Sequence, residues 1–254
     1  MRSDDASYDA MKDTWAMDLP ALEVGEGALQ VKMVDEEGKI AVNRLVGSNG
    51  VDVNKDVEDR LRSLIERLGG KPEIVDALID WMDVNDDIAG TAGAEEDAYR
   101  DWGYQVKNGP LDSIDELLLV KGFDKEILYD QKLSEYLTVA PSTDGKINVN
   151  TASSEVLQAV LGTKTASLST PLSESDIEDV VRYREEHEFK NVIDIGQVIK
   201  VSTTQMGSIT PLIKVNSSFF SVHSVYTRGK VSKSVDALLK RDGKTITTIA
   251  WREP

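Results

Sequence analysis

The chain of 254 residues contains no cysteine, only two histidines and only 7 prolines, and aromatic residues make up 6% of it. Without cysteine there is no disulfide framework, no thiol catalysis and no Cys-ligated zinc. The lack does not locate the protein, because periplasmic proteins often lack cysteine too. His187 and His223 stand far apart in the sequence, so a His-rich metal site is excluded and a Ser-His-Asp triad has two candidate bases. No apolar run approaches the 18 residues of a membrane span, and Met1-Arg2-Ser3-Asp4-Asp5 does not read as a signal peptide. Basic residues are also short: 29 Lys and Arg against 45 Asp and Glu give a formal charge of −16. Such a surface repels phosphate backbones and anionic lipid, and favours cations or basic protein surfaces.

What is present is 40% apolar residues, enough for a folded core. The length suits one large or two small domains, at about 150 residues each. Ala28 to Val34 alternates, Asp35-Glu36-Glu37-Gly38 turns the chain, and Lys39 to Asn43 returns, which predicts a β-hairpin. From Asp56 the period becomes helical through Val57, Leu61, Leu64, Ile65 and Leu68, closing at Gly69-Gly70. A second helix runs from Pro72 through Ile74, Leu78, Ile79 and Trp81. Residues 83–110 form a long acidic loop. Ser113 and Glu116 then make the S-x-x-E pattern of a capping box, and a short helix is expected near Lys125 to Leu128. Thr151 or Ser153 can cap a helix holding Val156, Leu157, Val160 and Leu161. Gly162 to Ser173 is a loop, with helices around Ile177–Tyr183 and Ile193–Ile199.

Alternation returns near Leu212. Strands are expected over Phe219–Tyr226, Lys230–Lys240 and Lys244–Trp251, the last two joined at Asp242-Gly243. Strands, about 160 residues of short helices, then strands again describe a helical domain inserted into one sheet. Separate β domains would leave the N-terminal hairpin alone, and isolated hairpins are marginal. Gly38-Lys39-Ile40-Ala41-Val42-Asn43 and Gly145-Lys146-Ile147-Asn148-Val149-Asn150 share the pattern G-K-I-x-V-N. It reads as an old duplication or as a recurring strand-to-helix entry.

Nine carboxylates lie between Asp76 and Asp101 against one basic residue, Arg100. At that density like charges repel unless they spread into solvent or a cation neutralises them. Asp83, Asn85 and Asp87 occupy positions 1, 3 and 5 of an EF-hand loop, but Ile88 replaces the invariant glycine and Ala94 the closing glutamate. This is no EF-hand; a hard-oxygen site and a solvated acidic loop both fit, and a flexible loop suits Ca²⁺ better than Mg²⁺.

Asn148 to Ala152, a helix, a loop and a second helix ending Arg182-Tyr183-Arg184 resemble a helix-hairpin-helix DNA-binding module, the alternative function. The hairpin Gly162 to Ser167 lacks paired glycines, and the second helix carries Glu174, Asp176, Glu178, Asp179, Glu185, Glu186 and Glu188, which oppose phosphate. Nucleic acid is therefore not expected as a partner. No P-loop, G-x-G-x-x-G or G-x-S-x-G is present. His187 sits at a charged helix end and His223 in a strand, and Trp15, Trp81, Trp102 and Trp251 are dispersed packing residues. The chain does not read as an enzyme and has no catalytic residues.

The ordered set Gly38-Lys39-Ile40 with Asn43, Ala77-Leu78-Ile79-Asp80-Trp81-Met82-Asp83, Gly93-Ala94-Glu95, Asn108-Gly109-Pro110-Leu111-Asp112-Ser113, Ile147 to Ala152 and Ser218-Phe219-Phe220 resembles the K-type minor pseudopilins of type II secretion. The resemblance implies an α+β fold: a pilin-like antiparallel sheet with a large inserted helical domain of two helix-hairpin-like (SAM-like) subdomains. The implied boundaries are 1–46 and 209–254 for the pseudopilin core, and 47–140 and 141–208 for the inserted subdomains. It implies a non-enzymatic protein at the pseudopilus tip, partnered by I-type and J-type minor pseudopilins. The native protein would be anchored in the inner membrane by an N-terminal helix absent from this chain, its soluble part periplasmic. It also implies a structural Ca²⁺, with Asp83, Asp86, Asp87 and Glu95 as ligands and Asn85 and Glu96 beside them.

Overall fold

Alternating residues from Ala28 to Val34 do form a strand, but it does not turn back on itself. In the computed structural model, which describes residues 7–18, 20–142 and 144–253, the run is β2 (Gly27–Asp35), flanked by β1 (Leu22–Val24). The pentapeptide Met1 to Asp5 lies outside the described residues. Asp35 to Gly38, read as a hairpin turn, starts a 3₁₀ turn over Glu36–Gly38, with the Asp35 side chain accepting from Glu37 N. The chain then leaves the sheet. Its next strand, β3 (Ile40–Ala41), pairs in parallel with β4 (Leu137–Thr138). The expected hairpin is thus replaced by a long-range pairing, because buried Glu36 and Glu37 find partners in the C-terminal part of the chain.

Glu36 is bonded by Ser221, and Glu37 by Ser218 and Lys214, within and just before the three C-terminal strands. Those strands are β7 (Phe219–Arg228), β8 (Val231–Asp242) and β9 (Thr245–Arg252), and the sheet order is β1-β2-β7-β8-β9, antiparallel throughout. Asp35 stands opposite Phe220 in the β2–β7 register. Gly243, at φ +58°, supplies the left-handed residue of the β8–β9 turn. The sheet closes from both ends of the sequence, and everything between is an insertion.

The insertion begins with α1 (Lys55–Arg67) and α2 (Ile74–Met82), followed by α3 (Glu96–Tyr99) and α4 (Leu133–Tyr136). Asn54 caps α1 by accepting from Val57 N. Ser113 does not act as a capping-box residue: residues Ile114–Leu119 are 3₁₀, and its side chain makes no cap bond. Glu116 is diverted to Trp81 Nε1 and Lys107. Further on come β5 (Ile147–Asn148), α5 (Ser154–Leu161), α6 (Glu174–Glu186), α7 (Ile195–Val198), α8 (Thr203–Ile209) and β6 (Ile213–Lys214). Ser153, rather than Thr151, caps α5, and Ser173 with Asp176 forms a full capping box on α6. β5 pairs in parallel with β6. The apolar core runs continuously from Ile40 to Val215 through both sets of helices. Among the described residues the sheet adds only Phe219 and Phe220 to the buried apolar residues, while β9 is exposed along its whole length.

Each parallel ladder clasps one set of helices. β3 and β4 enclose residues 42–136, and β5 and β6 enclose residues 149–212. The two G-K-I-x-V-N segments enter these ladders at Ile40 and Ile147, and their last asparagines do the same work. Asn43 Nδ2 donates to Leu111 O at 2.9 Å and its Oδ1 accepts from Leu111 N at 2.8 Å. Asn150 Nδ2 donates to Phe189 O at 2.9 Å and its Oδ1 accepts from Phe189 N at 2.9 Å. The repeated sequence is therefore a repeated structure.

Candidate functional site

The acidic loop is stitched to α2 by two carboxylates that face inward. Asp80 takes Ala89 N on Oδ1 at 2.9 Å and Ala94 N on Oδ2 at 2.6 Å. Asp76 Oδ2 takes Thr91 N at 2.8 Å and Ala92 N at 3.0 Å, and its other oxygen pairs with Arg62. Gly93 lies against both turns of this stitch: a Cβ there would fall 2.4 Å from Ala89 O and 2.5 Å from Asp80 Oδ2. So two of the nine acids organise the loop backbone.

The loop in turn buries two carboxyl groups with oxygens left over, although Asp83 still takes a hydrogen bond from Asn85. Asp83 Oδ1 and both carboxylate oxygens of Glu95 are buried without a hydrogen-bond partner among the described residues. Burial, reinforced by Asp80, Asp83, Asp86 and Asp87, pushes the Glu95 carboxyl up to about 7. Burial, with Asp80 and Asp87 adding repulsion, pushes Asp83 up to about 6. Asp86 and Asp87 are exposed. Asn85 Oδ1 accepts from Asp87 N at 2.8 Å. Exposed Glu96 turns away to Val106 N at 3.4 Å. The structure thus brings Asp83, Asp86, Asp87 and Glu95 into one field of charge, adds Asp80, and engages Glu96 elsewhere. Among the described residues no three His, Asp or Glu side chains converge closely enough to hold a metal as they stand.

Those orphaned oxygens are the test of whether a hard cation suits the loop. Buried polar atoms are paired with few exceptions, and a carboxylate held in repulsion is relieved by protonation or by a cation. Oxygen donors match the chemistry of Ca²⁺. Asp80 was the residue sequence reasoning missed here; its place three residues before Asp83, at the end of the helix that leads into the loop, was the available signal.

Beside the loop, Trp81, Tyr99, Trp102 and Tyr104 gather into one aromatic cluster, with Trp81 and Tyr99 centroids 5.3 Å apart and Tyr99 and Trp102 5.6 Å apart. Dispersed in sequence, Trp81 and Trp102 are bridged in space by Tyr99 and Tyr104. The histidines remain outside any cluster: His187 stacks on Tyr183 at 4.8 Å, and His223 pairs with Asp236 on an exposed strand. The hairpin after α5 is turned into the protein, with Thr163 Oγ1 donating to Ser63 Oγ at 2.8 Å and Ser167 N donating to Asp56 on α1. No helix among the described residues is long and apolar enough to cross a membrane.

Residues 38–142 match the family described as type II secretion system (T2SS), protein K. The chain is 28% identical over 247 residues to the type II secretion system protein K of Pseudomonas aeruginosa, covering 93% of this chain and 68% of that protein. It is 24% identical over 258 residues to the protein of that name from Aeromonas hydrophila, covering 91% of this chain and 76% of the relative. The fold is similar to a chain in the crystal structure of the GspK–GspI–GspJ complex from the enterotoxigenic Escherichia coli type 2 secretion system. That likeness has a TM-score of 0.78 at 19% identity, over 97% of this chain and 87% of the other. In its ordered motifs, antiparallel sheet and double-clasped insertion, the chain is similar to the type II secretion system protein K family, whose model matches residues 38–142.

Proposed function

We propose that the protein is a non-enzymatic minor pseudopilin of type II secretion, which joins I-type and J-type minor pseudopilins at the tip of the pseudopilus. The observation that carries this is the likeness, over 97% of the chain, to a structure titled as a GspK–GspI–GspJ complex. The fold supplies a physical reason for a tip position. Head-to-tail stacking of subunits goes on until a subunit fails to offer the next contact. An insertion of residues 36–212 between β2 and β7 of the sheet would be bulk in the way of such a contact. We divide the chain at 1–46 and 209–254 for the sheet core, with inserted units 47–140 and 141–208. We assign the protein to the bacterial cell envelope, with this part in the periplasm beside the inner membrane. The inward turn of the hairpin after α5 and the charge of −16 speak against the nucleic-acid alternative.

We also propose a structural Ca²⁺ in the acidic loop. Asp83 and Glu95 would hold it through their unpartnered oxygens, joined by Asp86 and Asp87 and by Asn85. Bound there, the cation would neutralise the repulsion among these groups and fix the loop over α2.

Co-elution tests the assembly reading: this chain and the soluble I- and J-type pseudopilins of the same organism are mixed in calcium and passed over a sizing column. A single peak holding all three is expected. Elution of this chain apart from a shared I–J peak, at concentrations where I and J associate with each other, would overturn it.

A further inference from the structure

In a chain this acidic, two arginines line one small cleft. The cleft, about 150 Å³, lies where the two helical units meet, between the start of α1, the turn after β3 and the residues before β5. Arg60 of α1 and Arg44 of the 3₁₀ turn Val42–Arg44 both face it, with Asp56, Asp144 and Gly145.

Arg60 is the unusual group. It is only 7% exposed, and its Nε has no hydrogen-bond partner among the described residues. A buried guanidinium ordinarily takes a carboxylate or carbonyl on its fork, because its five donors lose water on burial. Here it is touched by charge rather than by hydrogen bonds: burial lowers its pKa, Asp56 and Asp59 oppose that, and Arg44 adds to it. The carboxylates that line the cleft are engaged elsewhere. Asp56 accepts from Ser167 N. Asp144 Oδ1 accepts from Lys146 N at 3.1 Å and from Lys214 Nζ at 3.4 Å.

Arg44 is held toward the same space by its seat. Nη1 donates to Ser142 O at 3.4 Å, and the side chain runs against Gly145, which has φ +63°; a Cβ there would fall 2.5 Å from Arg44 Nε. Glycine is thus required twice over, for the backbone angle and for the approach of the arginine. The backbone is shaped to bring a second cation beside a buried one whose Nε makes no hydrogen bond.

The geometry points to a binding site for one oxyanion group, a carboxylate or a phosphate, held between Arg44 and Arg60. Paired guanidinium forks match the planar or tetrahedral oxygens of such groups. The cleft's 150 Å³ admits a single group of this size and no nucleotide. The carboxylate could be the tip of an acidic side chain from another chain, and the phosphate a free ion; the two sources share the chemistry and differ in preference.

Calcium-free protein is titrated in a calorimeter with inorganic phosphate and, separately, with acetate, at constant ionic strength. The chain itself, Arg60→Met, Arg60→Lys, Arg44→Gln and the exposed control Arg67→Gln are compared. Saturable one-to-one binding is expected for the chain and for Arg67→Gln, weakened at least tenfold in the Arg60 and Arg44 variants. Stronger binding of acetate assigns the site to an acidic side chain, and stronger binding of phosphate to a free ion. In anion-free buffer Arg60→Met should melt no lower than the parent, since it removes a buried cation whose Nε makes no hydrogen bond. If Arg60→Met does not fold, Arg60→Lys reads the same loss. Absence of saturable binding by the chain, or equal affinity in the Arg60 variants, would overturn the site.

Discussion

Asn150 grips Phe189 by both of its main-chain groups, at 2.9 Å each, across 39 residues of chain. The pair is buried, so water does not replace the bonds when the amide is lost. Asn43 holds Leu111 in the same way in the first helical unit. Truncation to alanine leaves one buried N–H and one buried C=O unpaired at each place. We expect Asn150→Ala and Asn43→Ala each to lose about 2–3 kcal/mol of stability. Asn150→Asp should lose nearly as much, because it keeps the acceptor and removes the donor. Urea unfolding reads these values, and a loss below about 0.5 kcal/mol would remove the clamp from the account.

Both asparagines were visible in the sequence as the last residue of G-K-I-x-V-N, and this shows what local pattern does and does not carry. Periodicity gave α1, α2, α5 and α6 and the three C-terminal strands, because each depends on residues within a dozen positions. It failed at Asp35 to Asn43, where alternation on both sides of an acidic turn reads as a hairpin. The competing partners, Ser217, Ser218, Ser221 and Lys214, lie about 180 residues away. Likewise the acidic loop was legible as a cluster of charge, but which acids tie down backbone and which remain unpaired depends on how the loop folds over α2. Arg60 carried no signal in sequence at all, since a helical arginine four residues after Asp56 reads as an ordinary surface pair.

Asp35 gives the fold a pH dependence with a definite sign. It is 4% exposed and takes hydrogen bonds from Glu37 N, Asn148 Nδ2, Thr151 Oγ1 and Ser217 Oγ. Burial outweighs these donors and, with the nearby Glu37 charge, pushes its carboxyl up to about 6. An acid whose folded value lies above its unfolded one contributes most below the unfolded value, near 3.8, and loses that contribution as pH rises through the folded value. Other groups titrate in the same range, so the comparison is with Asp35→Asn. We expect the stability of the parent relative to this variant to fall by about 2 kcal/mol between pH 4 and 7. A constant difference across that range would show that the network holds Asp35 at its ordinary value.

Calcium should act through Glu95. Without the cation, its buried oxygens face Asp83 and the neighbouring acids. Replacing it by the neutral isostere therefore relieves repulsion, and Glu95→Gln should melt higher than the parent in chelator. In calcium the order reverses. Saturation at about 100 times Kd adds about 2.7 kcal/mol to the parent, roughly 5–10 °C in a chain of this size. Glu95→Gln should gain under 2 °C, and Asp83→Asn should follow it. Glu96→Gln should respond like the parent, because Glu96 binds Val106 N instead. Equal melting of the parent in millimolar calcium and in chelator would remove the cation from this loop.

Gly93 tests whether the loop's backbone, rather than its charge, keeps it in place. A methyl group at this position meets Ala89 O at 2.4 Å and Asp80 Oδ2 at 2.5 Å, so Gly93→Ala must open the turn. Opening takes Ala89 N and Ala94 N from Asp80, a residue with no exposed surface, and strands its carboxyl group. We expect a loss of about 3 kcal/mol. Hydrogen exchange should quicken at Ala89, Thr91, Ala92 and Ala94 while the Phe189 amide keeps its protection. Gly207 in α8 supplies the control, since nothing lies within 4 Å of a Cβ placed there. Alanine at that helical position should stabilise the protein by about 0.5–1 kcal/mol. If both substitutions move stability in the same direction, the steric account of Gly93 fails, and the acidic loop must be held by something other than its hydrogen bonds to α2.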